Sequence, residues 1–151
     1  MSYAQGTQVS SSRSLDELQR LLVKHGATQF VQGWDSSRHR VMFELSGRTY
    51  RFEVAQVAAG EMASTPTGRS RDRSTAARMA EEETARRMRS LLLVIKALFI
   101  GVEDGILDIH TALLPWTVLP SGSTVGEWAA PQLDDAYQGR EMPTLIPGAS
   151  S

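Results

Sequence analysis

The sequence predicts an α+β fold: a small three-stranded antiparallel sheet packed against a long central helix, with a C-terminal hairpin and short helices. Three observations carry that prediction. No proline interrupts the chain between Ser74 and Pro115, and this stretch contains the most apolar run, Leu91–Val102 (LLLVIKALFIGV). Two alternating runs, Arg40–Leu45 and Thr49–Val54, flank Ser46-Gly47, a two-residue hairpin signal. Ahead of them, Leu15, Leu18, Leu21 and Leu22 form the apolar stripe of a short helix.

In chain order, residues 1–13 are polar and rich in Ser and Gln, and read as a flexible N-terminal arm. Ser14 is expected to start the first helix, with Glu17 at capping-box spacing. His25-Gly26 ends it, Gly26 taking the left-handed position after the last turn. Strands follow at Thr28–Trp34, Arg40–Leu45 and Thr49–Val54. The hairpin turn sets the register, pairing Phe43 with Tyr50 and Val41 with Phe52. Val41, Phe43, Leu45, Tyr50, Phe52 and Val54 then share an apolar face. The other face carries Arg40 opposite Glu53, Met42 opposite Arg51 and Glu44 opposite Thr49.

Residues 56–72 hold Gly60, Pro66 and Gly68 before Arg69 and Arg71, and read as an exposed, mobile loop. Ser74 is the expected N-cap of the long helix. Its first half carries Glu82–Arg86 and Glu83–Arg87 pairs, each contributing roughly 0.2–0.5 kcal/mol. Its second half is apolar nearly all round, so it is expected to be covered on most sides. Leu91–Val102 falls short of the roughly 20 residues that cross a bilayer and contains Lys96, so no membrane span is predicted.

The helix is expected to fray at Asp104-Gly105, with a second helix over Ile106–Leu114 stopped by Pro115. Thr117–Leu119 and Ser123–Val125 flank Pro120-Ser121-Gly122, either as a small hairpin or as an extended loop. Thr124 and Glu127 repeat the capping-box spacing ahead of a final helix with Trp128, Leu133, Ala136 and Tyr137 as apolar members. Pro131 is expected to break or kink that helix, and Gly139 to end it. The reading is one domain over 14–139, followed by an extended tail over 140–151 that Met142, Leu145 and Ile146 pin to the surface.

Composition narrows the chemistry. The 151 residues fit one domain, and 41% apolar with 22% charged residues is ordinary for a globular chain. The absence of cysteine excludes disulfides, thiolate metal sites and a cysteine nucleophile. His25, His39 and His110 stand at no metal-binding spacing, and phosphate-loop, dinucleotide and nucleophile-elbow motifs are absent. A non-enzymatic protein without metal or cofactor is the expectation. The N-terminal sequence has no basic segment followed by an apolar one, so the expected location is cytoplasmic.

Charge is uneven along the chain. Residues 1–90 hold fourteen Lys/Arg and ten Asp/Glu, net +4; residues 91–151 hold two and seven, net −5. Such asymmetry suits a polyanion-binding half, or complementary surfaces within a homo-oligomer. The candidate anion or nucleic-acid residues are Arg69, Arg71, Arg73 and Arg78, supported by Arg38, Arg40, Arg48 and Arg51. Against that reading, the sheet's aromatics lie on its apolar face and the isoelectric point is near 6.3. A small phosphorylated ligand is a third class that Arg-rich loops suit. For a protein partner, the candidate anchors are Trp116, Trp128, Met142, Leu145 and Ile146.

Two blocks together carry a resemblance. The first is YAQGTQV, SLDELQRLLVKHGATQFVQGWD and GRTYRFEV; the second is RRMRSLLLVIKALFIGVEDGI and VLPSGSTVGEWAAPQLDDAYQGREMPTLIPG. Their pairing resembles a family of small, mostly uncharacterised accessory proteins of tailed bacteriophages and prophages. The resemblance implies a protein acting near phage DNA replication or recombination, or one that binds a host defence component. It carries over no catalytic residues.

Overall fold

The computed structural model describes residues 3–64, 68–70 and 72–139, with side chains from Arg13 onward. Its elements run α1 (Tyr3–Lys24), β1 (Gln29–Trp34), β2 (Arg38–Leu45), β3 (Arg48–Ala55), α2 (Arg73–Glu103), α3 (Ile109–Ala112) and α4 (Val125–Gly139), with 3₁₀ turns at Ala59–Met62 and Leu114–Trp116. The strands form one antiparallel sheet in the order β1-β2-β3. This is the α+β architecture expected.

The β2–β3 register is the one the turn demands, with Phe43 on Tyr50 and Val41 on Phe52. Ser46 and Gly47 both adopt positive φ, 51° and 79°, which matches the turn to the right-handed twist of the strands. Val41, Phe43, Leu45, Tyr50 and Phe52 are buried on one face. Leu15, Leu18 and Leu22 of α1 and Met88, Leu92, Ile95 and Phe99 of α2 complete the core against them.

The two long helices run parallel. Lys96 Nζ reaches Glu17 Oε2 at 3.2 Å, and His25 Nε2 reaches Glu103 Oε1 at 2.6 Å, at sequence separations of 79 and 78 residues. The His25 ring also stacks on Phe99, with centroids 4.3 Å apart, so the C-terminal ends of both helices are joined. The sheet covers one side of this helix pair.

Several expectations are corrected. α1 is helical from Tyr3, so Ser14 lies inside the helix and is buried rather than acting as its cap. The cap of α2 is Asp72, not Ser74. The Asp72 carboxylate accepts from Thr75 N at 2.7 Å, and the Ser74 hydroxyl itself donates to Asp72 at 2.9 Å. A charged acceptor beside the positive helix end outcompetes a hydroxyl. The segment over 56–72 begins anchored: Val57 is buried and donates its N–H to Thr84 Oγ1 at 3.2 Å.

α2 is also not covered on most sides. Leu92, Ile95 and Phe99 are buried, whereas Leu93 is 64% and Ile100 56% exposed. In a single helical layer on a single sheet, α2 buries only the stripes that face α1 and the sheet. The predicted helix over Ile106–Leu114 reduces to the four residues of α3, capped by the Asp108 carboxylate, and Pro115 sits inside the 3₁₀ turn that follows. The C-terminal hairpin appears as a Val118–Thr124 bridge. The chain also adds to the sheet edge, because Val118 N donates to Thr49 O at 2.8 Å.

Candidate partner-docking surface

The four candidate anion-binding arginines are not shown as one cluster. Arg69 is exposed next to a Ser64–Ser70 bridge, and Arg73 is the exposed first residue of α2. Arg78 is half-buried with Nε 3.9 Å from Glu82 on the same helix. Arg71 lies outside the described residues.

Three of the four supporting arginines of the sheet, Arg38, Arg40 and Arg51, are engaged with carboxylates on its outer face, and Arg48 is exposed. Glu53 lies at the centre, with Arg38, Arg40 and Arg51 all within ion-pair distance. Arg40 also reaches Asp35 at 2.9 Å. Arg51 extends to Glu127 Oε1 at 3.0 Å and donates to Gly122 O at 2.7 Å, tying the sheet to the start of α4. Arginines already neutralised in this way are poor phosphate clamps, because a polyanion would first have to displace the carboxylates.

The same network predicts a pH response. Burial raises the Glu53 pKa, but the hydrogen bonds from Arg38 and Arg40 outweigh it and leave the group below its ordinary 4.5. The Ser37 hydroxyl, the Ser37 and Arg38 amides and Arg40 likewise hold Asp35 well below the usual carboxylate range. A folded pKa below the unfolded one gives stability that is present above the unfolded value and lost as pH falls through the folded one. The melting temperature is therefore expected to fall as pH drops below about 4.5. Glu53→Gln should flatten part of that fall in thermal melts run from neutral to acid pH. An unchanged profile would mean that Glu53 is equally stabilised in the unfolded chain.

The partner-binding candidates separate clearly. Trp116 is half-buried and stacks on Phe52 with centroids 4.6 Å apart, so it belongs to the core's edge. Trp128 is 59% exposed on α4. Met142, Leu145 and Ile146 lie outside the described residues.

α4 is the unusual element. Its first turn is fixed by the expected capping box: Glu127 N donates to Thr124 Oγ1 at 3.2 Å, and Thr124 N to Glu127 Oε2 at 3.3 Å. The turn rests on the preceding 3₁₀ segment, where a Cβ added at Gly126 would meet Pro115 O at 3.0 Å. Beyond this turn the helix stands free of the core, and none of its residues is buried. It continues through Pro131 instead of breaking there, and Gln132 Nε2 donates to Trp128 O at 3.0 Å.

Spacing organises this exposed helix. Ala129, Leu133 and Ala136 fall at i, i+4 and i+7, with Tyr137 beside them, and form one apolar face. Leu133 is 56% and Tyr137 64% exposed. Glu127, Asp134 and Gln138 lie on the other side, with Trp128 at its margin. Sequence reasoning recognised Leu133 and Tyr137 as apolar members of a helix but assigned no site to them. The signal for exposure was present in Pro131 and in the small apolar complement of the helix.

Among the described residues, no group of three or more His, Asp or Glu is placed to hold a metal ion. No described helix is long and apolar enough to cross a membrane. Comparison with protein-family models, curated proteins and solved structures finds no match to this chain.

Proposed function

We propose that this chain is a non-enzymatic, phage-type accessory protein that binds a protein partner in the bacterial cytoplasm, with α4 as its docking element. The observation that carries this reading is a 15-residue helix fixed at its first turn and exposing Leu133, Tyr137 and Trp128. An isolated helix of that length is marginal in water, and an internal proline costs about 3 kcal/mol more than alanine. Covering its apolar face would stabilise it. A complementary partner presents an apolar groove for Leu133 and Tyr137 with a basic group at its rim for Asp134, the helix-in-groove mode of recognition. The family resemblance supports the phage setting, in which a host defence or DNA-metabolism protein is the partner class.

The test is capture from nuclease-treated bacterial lysate, followed by affinity measurement with the captured protein. Leu133→Glu with Tyr137→Glu is expected to weaken binding by roughly 30-fold or more, the loss of a hot spot. Retained affinity in that variant removes α4 from the reading. An oligonucleotide titration tests the alternative of direct nucleic-acid binding. Sub-micromolar binding at physiological salt would support that alternative, if replacing Arg69, Arg71 and Arg73 with alanine abolished it and flattened the salt slope by roughly 2–3 units.

A further inference from the structure

The side of α2 turned away from the sheet carries a pattern that the fold of one chain leaves exposed. Arg86, Ser90, Leu93, Ala97, Ile100 and Asp104 recur at alternating spacings of four and three residues, and all six are exposed. That alternation is the period of a two-helix seam. The seam is basic at its N-terminal end, apolar in the middle and acidic at its C-terminal end. At 1.5 Å per residue it is about 27 Å long.

We propose that this face is a homodimer interface, in which α2 packs antiparallel on α2 of a second copy about a two-fold axis level with position 95. In that register Leu93 meets Ala97 of the second copy, a large side chain against a small one. Ser90 meets Ile100, and Arg86, which holds Glu83 of its own chain through a bidentate pair, meets Asp104 with its outer edge. On the flank, Arg89 meets Glu103, which is also in contact with His25 of its own chain. Val94, also exposed, meets its own counterpart beside the axis. Lys96 meets its counterpart on the other flank, but each Lys96 is already paired with Glu17 of its own chain at 3.2 Å.

Charge selects this arrangement over a parallel one. Parallel packing in register would set Arg86 on Arg86, Arg89 on Arg89 and Asp104 on Asp104, and like charges placed together oppose association. The antiparallel register sets opposite charges at both ends. It is also isologous, each copy offering the same surface, so it closes at two chains. The occupant is therefore a second copy of this chain, on a face distinct from α4.

Sedimentation equilibrium of the full chain across the micromolar range tests the proposal. The wild type is expected to self-associate to twice the monomer mass. Leu93→Glu with Ile100→Glu is expected to be monomeric with an unchanged circular-dichroism spectrum, since both sites are exposed and glutamate is a good helix former. Arg86→Glu and Asp104→Arg are each expected to weaken association by roughly tenfold or more, by setting like charges at both seam ends.

Mixing those two single variants is expected to restore association. One end of the mixed seam keeps the native pair and the other carries it reversed. A dimer through any other surface gains nothing from mixing, and a parallel seam, which sets like charges at both ends in the wild type and in each single variant alike, would not be weakened by either single substitution. The proposal is overturned by a wild type that stays monomeric, by a dimer indifferent to the Leu93 and Ile100 substitutions, or by a mixture no stronger than its components.

Discussion

Ile95→Ala is expected to cost about 2–5 kcal/mol of unfolding free energy, while Ile100→Ala, five residues on, should stay within about 0.5 kcal/mol. Both are isoleucines in the most apolar run of the chain, and local sequence barely distinguishes them. Ile95 is 0% exposed and lies in the cluster with Val41, Phe43, Phe52, Leu18 and Leu22. Truncating it leaves a cavity bounded by two helices and a sheet, none of which can collapse independently. Ile100 faces outward, so its truncation removes little packing from a single chain. Urea unfolding at concentrations where the chain is monomeric measures the contrast, with an unchanged slope showing that the unfolded states are comparable. Equal losses at the two sites would mean that the outer face of α2 is covered within one chain.

That contrast also marks how much the sequence disclosed. The β2–β3 pairing was legible to the residue, because Ser46-Gly47 permits one tight turn and the side-chain period of two then assigns every face. The α4 cap was legible because Thr124 and Glu127 form a strictly local motif. The burial of α2 was not legible. A helix apolar nearly all round reads as covered on most sides, and whether its cover comes from the same chain is a property of layer count, not of period. The outer-face ion network was half legible. Opposition of Arg40 and Glu53 follows from the hairpin, but the contact from Arg51 to Glu127 spans 76 residues and depends on where the C-terminal segment docks. Trp116 and Trp128 look alike as exposed-aromatic candidates. Only the stacking of one on Phe52 separates an edge of the core from a free anchor.

Phe52→Ala is expected to cost about 3–5 kcal/mol and to loosen the whole C-terminal segment along with the core. Phe52 is 2% exposed, and its ring lies 6.1 Å from Phe43 on one side and 4.6 Å from Trp116 on the other. It therefore connects the sheet's interior to the 3₁₀ turn on which α4 rests. Removing the ring takes away the surface Trp116 stacks on, and the stacked pair contributes about 0.5–1.5 kcal/mol beyond area burial. The Val118 N–H bond to Thr49 O, two residues after Trp116, should then open more often, as should the first turn of α4. Amide exchange separates the local effect from the global one. Faster exchange at Val118 and Glu127 under native conditions, beyond the rise in the β2–β3 amides, is the expected result. Trp116→Phe keeps an aromatic ring on Phe52 and should preserve most of that protection. Exchange in Phe52→Ala that rises equally everywhere would show that the Arg51 contacts to Gly122 and Glu127, rather than the aromatic stack, hold α4 in place.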